Sequence, residues 1–247
     1  MTRLVRAELR ALRTTPTTWW LLLGVATIGV IGTVAPLLAS DATRSELLGD
    51  HQIQEALHGA AAGATLVLVV GIIAMAGDWR WGQVTQTFIT TPVRRRVVAA
   101  KLVVHVGVGA VFGIVAAAVS LLSAWGWYRH EGVALPLDRS AVWLTLLGCV
   151  LVSTLFGPIG VAVGAVVRNV VAGVIGALVW QVLVEPALFT ASPSLFRWLP
   201  GIASFAIRRQ PAEDLLGVGP AAVVLAVVLA GSIVAGILTV ERRDVTT

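Results

Sequence analysis

The chain has 247 residues, of which 57% are hydrophobic and 13% are charged, with a formal net charge of +5 and a mean hydropathy of +0.89. This composition excludes an ordinary soluble domain and indicates an integral membrane protein. The positive charges are spread along the chain and form no large separate basic patch, so no nucleic-acid partner is expected.

Six apolar runs are long enough to cross a bilayer, whose hydrocarbon core needs about 20 helical residues. Backbone groups in lipid must be hydrogen-bonded within the segment, so the runs predict transmembrane helices. The alternation typical of a membrane barrel strand is missing from them. The fold expected is an all-α membrane protein with spans at 19–39, 59–76, 102–125, 141–167, 170–189 and 218–240.

The segment before the first span, residues 1–17, has the pattern of an amphipathic interfacial helix. On a helical wheel its arginines share one face, while Val5, Leu9 and Leu12 share another. Pro16 should break this helix, so that Thr17 and Thr18 begin the first span. The alternative is a charged flank that only orients that span. The arginines are Arg3, Arg6, Arg10 and Arg13.

Basic residues are divided unequally between the two sides of the predicted spans. The side that carries both termini holds 12 lysines and arginines, and the other side holds 6. The positive-inside rule therefore predicts that both termini are cytoplasmic and that the chain is a multi-pass protein of the cell membrane.

A polar, basic loop at 78–96 separates the second and third spans. Its middle contains Val84, Phe88 and Ile89 at helical spacing among polar residues, which predicts a short amphipathic helix that ends at Pro92. Lys101 follows in the third span, where headgroups can receive its charge. We interpret the segment as a docking site for a soluble partner; the alternative is a solvated loop with aromatic anchors.

Glu185 is the one acid within a predicted span, and such groups are functional candidates by default. It lies four residues from the end of the fifth span, so a gating or substrate role competes with a structural salt bridge or a helix-end role. Water, Arg197 or Arg208 would satisfy it. His105, in the third span, is expected to be a buried hydrogen-bonding group.

Two further features are candidates for a gate or pathway. Pro158, between two glycines in the fourth span, should kink that helix. The loop at 190–217, which contains Trp198, is too apolar for a free linker and should fold back against the membrane as a re-entrant or interfacial hairpin. Short helices there would cap a pathway, and a hairpin without a gating role is the alternative.

Motifs for nucleotide or metal chemistry are missing. A phosphate-binding loop needs a Gly-Lys pair, and the only lysine, Lys101, follows two alanines. The sequence also lacks His-Glu-x-x-His and Gly-x-Ser-x-Gly. We therefore expect no catalytic residues, no metal and no cofactor in this chain. Glycine pairs at four-residue spacing carry no signal, because 25 glycines give about two such pairs by chance.

Over nearly its whole length the chain resembles the permease subunit of an ATP-binding-cassette (ABC) exporter of the ABC-2 type. The likeness covers the surface helix, the six spans and the polar loop after the second span. The local motif is an acid, Gly-x-x-x-x-Thr, Thr-Pro, basic residues and a lysine. Aspartate stands where the family more often has glutamate. The matching residues are Asp78, Gly82, Thr87, Thr91, Pro92, Arg94, Arg95, Arg96 and Lys101.

This resemblance implies that the polar loop carries a coupling helix that contacts a separate ATPase subunit, which would hold ATP and Mg²⁺. A second permease, either a copy or a related chain, would complete the unit. The cargo expected is a hydrophobic or amphipathic drug, peptide antibiotic or lipid. The alternatives are an ATP-independent channel or secondary transporter, and a membrane anchor or immunity protein. The predicted coupling residues are Trp79, Arg80, Trp81, Gln83, Val84, Thr85, Phe88 and Ile89.

Overall fold

The computed structural model describes residues 2–40, 47–80 and 94–242. The regular elements in these ranges are all helical. A 3₁₀ turn (Leu57–Ala61) joins α3 to α4, and a π-helical turn (Trp180–Val184) joins α7 to α8. The helices are α1 (Thr2–Thr14), α2 (Pro16–Ala39), α3 (Asp50–Ala56), α4 (Ala62–Arg80), α5 (Arg94–His130), α6 (Ser140–Val167), α7 (Val170–Val179), α8 (Glu185–Ala191), α9 (Pro193–Phe196), α10 (Pro200–Ile207) and α11 (Val218–Arg242).

Six helical segments among the described residues are long and apolar enough to cross a membrane. The described part of the chain is therefore all-helical, with the architecture of a multi-pass membrane protein, as the composition predicts. The helices extend beyond several predicted bounds, because backbone hydrogen bonding continues past the last apolar residue. The segments are Pro16–Ala39, Asp50–Arg80, Arg95–His130, Ser140–Val167, Val170–Ala191 and Val218–Glu241.

Helices α4 and α6 form the centre of the bundle and pack most extensively against each other. Glycines make this close approach sterically feasible. A Cβ at Gly160 would overlap the carbonyl group of Leu68, and one at Gly71 would overlap the backbone of α6. Both helices bury most of their length, whereas α2, α7 and α11 leave large apolar side chains exposed, as expected of helices that face lipid.

The N-terminal helix α1 ends at Thr14, and Thr15 adopts an extended conformation before α2 begins. The break predicted at Pro16 is present. The first span starts at Pro16 rather than at Thr17, because proline lacks only an N–H that is unpaired in a first helical turn anyway. All four arginines of α1 are exposed, while Leu12 packs against the main core.

The segment at 190–217 contains two short helices, α9 and α10. Most of α10 is buried, and it packs against α6 and α11. Helix α10 is therefore part of the protein core, and the re-entrant or interfacial hairpin expected for 190–217 stays a prediction. Trp198 stands between the two helices and is 52% exposed.

Contacts between the helix ends define two ends of the bundle. We call the one that carries α1 the α1 end; it also holds the last turn of α4 and Arg168, which contacts Thr239 near the end of α11. The opposite end holds the start of α3, the α5–α6 connection, α9 and α10.

Candidate functional site

The single lysine of the chain lies at the centre of a buried ion-pair cluster at the α1 end. Lys101 Nζ is 2.8 Å from Glu8 Oε2 in α1 and 2.9 Å from Asp78 Oδ2 in α4. The side chain of Lys101 is 5% exposed, and those of Glu8 and Asp78 are 18% and 24% exposed. These three residues, which we call the Lys101 cluster, connect three helices by charge-assisted contacts.

Helix geometry brings the cluster together. Asp78 is in the last turn of α4, and Lys101 lies about two turns from the start of α5. Since α4 and α5 pack side by side, the two residues meet at one level of the bundle, and α1 packs across α5 so that Glu8 reaches the same point. The expectation that Lys101 meets lipid headgroups is wrong, because two carboxylates bind its ammonium group instead.

Two carboxylates around one ammonium group give the Lys101 cluster a formal charge of −1. A buried lysine is stable only when paired, and here both partners come from helices other than its own. The cluster therefore depends on the relative positions of α1, α4 and α5.

His105 lies one turn further along α5 and is fully buried. Its Nδ1 is 2.8 Å from the carbonyl oxygen of Lys101, while its Nε2 has no hydrogen-bond partner. The backbone of α6 touches α5 at this level, because Gly157 leaves no room for a Cβ against the carbonyl of His105. The buried, hydrogen-bonded state expected for this histidine is present.

Trp79 and Arg168 form a second contact at the α1 end. The Arg168 guanidinium lies 3.8 Å from the centre of the Trp79 ring, a cation–π distance. Arg168 occupies the junction of α6 and α7 with a positive φ of 56°, and its Nη2 donates to the carbonyl of Thr239 in α11 (3.0 Å). This contact therefore connects the end of α4 with α6, α7 and α11.

A cavity of about 320 Å³ lies beside the Lys101 cluster, between α1, α2 and α4. Glu8, Asp78 and Lys101 form part of its wall, and Thr15 and Leu21 lie on the side of α2. The cluster thus borders a space that α1 partly closes.

The predicted coupling residues are divided by the described ranges. Trp79 stacks on Arg168 as above, and Arg80 is exposed at the end of α4. These two belong to a helix and not to a loop, contrary to the expected start of the loop at residue 78. The other six predicted coupling residues lie outside the described residues: Trp81, Gln83, Val84, Thr85, Phe88 and Ile89.

Glu185 forms the second candidate site, near the opposite end. It is 2% exposed, and its carboxylate accepts hydrogen bonds from Trp180 Nε1 (2.5 Å) and from the backbone N–H of Ile202 (3.2 Å). Ile202 lies in the first turn of α10, where N–H groups have no partner within the helix. Glu185 therefore binds the N-terminus of α10, a favourable position for negative charge.

The backbone before Glu185 is a π-helical turn, Trp180–Val184. Pro186 follows and has no N–H to donate to the preceding turn, which is a common cause of such irregularity. Trp180 is five residues before Glu185 in sequence, and the turn brings its Nε1 within hydrogen-bond reach of the Glu185 carboxylate.

The arginines expected to satisfy Glu185 lie elsewhere. Arg208 is 6% exposed and donates through Nη2 to Ser204 Oγ (2.7 Å), with its guanidinium 4.9 Å from the centre of the Phe205 ring. Burial lowers the pKa of Arg208, although a guanidinium remains charged at neutral pH. Arg197 lies over Trp198. No ion pair among the described residues includes Glu185.

A cavity of about 340 Å³ opens beside Glu185 and is bounded by α4, α6, α7, α10 and α11. Its lining is almost entirely apolar and includes Phe156 and Val228, with Trp180, Gln181 and Glu185 as the polar exceptions. We call it the Glu185 cavity. Of the three predicted pathway residues, only Glu185 lines it.

Pro158 and Trp198 are not part of this lining. Pro158 is buried within α6, which continues as a helix on both sides of it. Trp198 lies on the exposed connection between α9 and α10. The structure therefore does not bring the three candidates into one site.

Sequence reasoning missed Glu8 and Arg168 as site residues. Glu8 is the one acid among the arginines of α1, which was a signal for a specific partner. Arg168 follows an apolar span directly and reads as a turn residue, so nothing in the sequence pointed to Trp79.

No protein-family model matches the chain, and no curated protein matches it. Its function must therefore be inferred from its membrane architecture, the two sites and the sequence motif.

Proposed function

We propose that the chain is the permease subunit of an ABC exporter of the ABC-2 type, driven by a separate ATPase subunit. The proposal combines the sequence resemblance with the six long apolar helices and the Lys101 cluster. The chain itself has no catalytic role in this proposal; ATP and Mg²⁺ belong to the partner.

The observation that carries the proposal is that the Lys101 cluster joins α4 and α5, the helices that precede and follow residues 81–93 in the chain. Asp78 precedes this segment and Lys101 follows it, and Lys101 binds both Asp78 and Glu8 of α1. A force applied to the segment would reach α4, α5 and α1 together. Rigid coupling of this kind is what a transporter needs when a soluble motor drives its helices.

The Trp79–Arg168 contact extends the coupling to the other half of the bundle. Through Arg168, motion of the α4 end reaches α6, α7 and α11, which border the Glu185 cavity. A route by direct contact thus runs from Trp79 at the α1 end to helices that line the Glu185 cavity.

In the proposed orientation the α1 end and both termini are cytoplasmic. The exposed arginines of α1 would then lie among the anionic headgroups of the inner leaflet, with Leu12 toward the protein. The Glu185 cavity would extend from Val167, next to Arg168 on the inner side, to Glu185 on the outer side.

The proposed working unit has two permeases and two ATPase subunits, and the second permease is a copy of this chain or a related chain. The proposed cargo class is supported by the Glu185 cavity, whose lining is almost entirely apolar. A hydrophobic or amphipathic compound such as a drug, peptide antibiotic or lipid fits such a lining.

Co-purification tests the assignment. A tagged chain extracted in mild detergent should bring down a subunit with a phosphate-binding loop, and vesicles containing both should move cargo only with ATP and Mg²⁺. Nucleotide-independent transport by the chain alone would favour the channel or secondary-transporter alternative. A chain that brings down no ATPase and moves no cargo would fit the anchor or immunity alternative.

A substitution in the polar segment tests the coupling role. Phe88→Asp places a charge on the apolar face of the predicted amphipathic helix, and we expect it to abolish ATP-driven transport while insertion in the membrane persists. Gln86→Asp adds the same charge to the polar face and should retain transport. Full transport by the Phe88 variant at equal expression would contradict the coupling role.

A further inference from the structure

The polar groups of the Glu185 cavity are arranged as hydrogen-bond acceptors. The Trp180 N–H is already donated to Glu185, and Gln181 Nε2 donates to Thr65 Oγ1 (3.2 Å). Gln181 Oε1 is buried and has no hydrogen-bond partner. The side chains therefore present a carboxylate and an unpaired amide oxygen beside an apolar space, and a ligand that satisfied them would be a donor.

The charge of Glu185 also lacks a cationic partner among the described ion pairs. The N–H groups of Trp180 and Ile202 stabilise the carboxylate by hydrogen bonds, but neither carries a formal charge. A carboxylate has about four lone-pair positions, so capacity remains for another donor. In a membrane, where solvent does not screen charge, a cation beside the carboxylate would be attracted strongly.

We propose that the Glu185 cavity binds a hydrophobic amine in its protonated form, with the ammonium group directed to Glu185 and Gln181 Oε1 and the apolar body among the helices. This rests on the proposed function, whose cargo class it narrows. The ammonium N–H groups match the acceptors, and the Trp180 ring adds a surface that favours cations. Trp180 is 45% exposed, so a ligand dissolved in lipid can reach the cavity from the side.

The size and composition of the cavity agree with this ligand class. A volume of about 340 Å³ is at the small end of the range for small-molecule sites. Phe156, Ile159 and Val163 of α6 offer apolar contact to the body of the ligand.

The test compares three probes of one shape: 4-biphenylmethylamine, 4-biphenylmethanol and biphenyl-4-carboxylate. Binding is measured by equilibrium dialysis against the full chain in nanodiscs of phosphatidylcholine, with empty nanodiscs subtracted. The amine should bind about tenfold or more tightly than the alcohol, the factor that one charge-assisted hydrogen bond supplies. The carboxylate should bind most weakly.

Two substitutions locate the effect. Glu185→Gln should remove the preference for the amine over the alcohol, while Glu131→Gln, at an exposed acid outside the cavity, should keep it. Gly176→Leu places a side chain in open space in the lining and should weaken both probes. Gly231→Leu, also in open space but outside the lining, should weaken neither.

Equal binding of amine and alcohol to the unaltered chain, preference for the carboxylate, or no binding of any probe would each overturn the inference. An unchanged amine preference in a folded Glu185→Gln protein would also overturn it. If Glu185→Gln does not fold, undiminished binding of both probes to Gly176→Leu would overturn it instead. Because binding is measured without an ATPase, it tests this inference independently of nucleotide-driven transport. Absence of nucleotide-driven transport would count against the proposed function alone.

An aminophospholipid carries the same ammonium chemistry as a small amine. Adding phosphatidylethanolamine to the nanodiscs distinguishes the two sources. Weaker amine binding in its presence supports the inference with lipid as the occupant, and unchanged binding supports it with small amines. Stronger amine binding in its presence would contradict occupation of the cavity by an ammonium group.

Discussion

Removing the charge of Lys101 should detach α1 from the bundle. Lys101→Met keeps an unbranched side chain of similar length but takes away the ammonium group that binds Glu8 and Asp78. Both carboxylate oxygens lie within 2.9 Å of the Lys101 nitrogen, so without it two like charges face each other at close range. The simplest relief is movement of α1, which contacts the bundle less extensively than the long helices do.

The expected loss in the free energy of unfolding follows from the burial of the ion pairs. Removing one partner of a buried ion pair costs about 3–5 kcal/mol. The lower end applies here, because Glu8 and Asp78 remain 18% and 24% exposed and keep some hydration. About 3 kcal/mol corresponds to a fall in Tm of about 6–12 °C for a chain of this size.

Thermal unfolding in detergent measures the fall in Tm, and hydrogen exchange measures the release of α1. Amides of Thr2–Thr14 should exchange faster in the Lys101 variant. Arg95→Met removes an exposed charge from the same helix and serves as the control. Replacing all three residues, with Glu8→Gln and Asp78→Asn added to Lys101→Met, should recover most of the loss because no buried charge remains.

Equal, small shifts in Tm for Lys101→Met and Arg95→Met would refute the role of the Lys101 cluster. So would unchanged exchange of α1 in a variant with lowered Tm, because the cost would then arise elsewhere.

Two further predictions concern the helix contacts. The first is a double-mutant cycle of Trp79→Leu and Arg168→Gln, with the free energies of unfolding taken from Tm and unfolding enthalpy. It should give a coupling energy of about 1 kcal/mol, because the two groups stack at 3.8 Å. Additive effects of the two substitutions would mean that the contact is not stabilising. In the second, Gly160→Val should lower the free energy of unfolding by about 3 kcal/mol or more, because the new side chain forces α4 away from α6. The control Gly231→Val, which has nothing within 4 Å of the added Cβ, should shift Tm little. Equal shifts in Tm would contradict the packing argument.

The two sites together suggest how motion is transmitted in the proposed transporter. Because α4 and α6 approach closely along several glycines, they should move as one body. Asp78 and Trp79 stand at one end of this body, and Phe156 and Ile159 face the Glu185 cavity from it. Displacement of the polar segment would therefore change the cavity without a flexible intermediate.

Helix α10 would transmit this motion to the outer side of the Glu185 cavity. Helix α10 is held to α8 by Glu185 and packs on α6 and α11. A ligand that draws the Glu185 carboxylate away from Ile202 would loosen α10 over the cavity. In the proposed function this links binding of cargo to opening toward the outer leaflet.

The sequence alone determined the class of fold and the six long apolar helices that could cross a membrane. Hydrophobic transfer and the length needed to cross lipid depend on the composition of each segment, so they can be read locally. The break at Pro16 could also be predicted, because a proline restricts its own neighbourhood. The candidacy of Glu185 followed from the same reasoning, since an acid within an apolar run is unusual anywhere in the chain.

Only the tertiary structure decided which groups meet. Lys101 and Glu8 are separated by 93 residues, and their contact depends on how α1 lies across α5. Ile202, and not an arginine, binds Glu185 because α10 directs its unpaired N–H groups there. Four-residue glycine spacing is expected by chance in so glycine-rich a chain, yet Gly160 and Gly164 lie against the backbone of α4. Such contacts depend on the rotation and depth of each helix, which hydrophobicity along the chain does not encode when most faces are apolar.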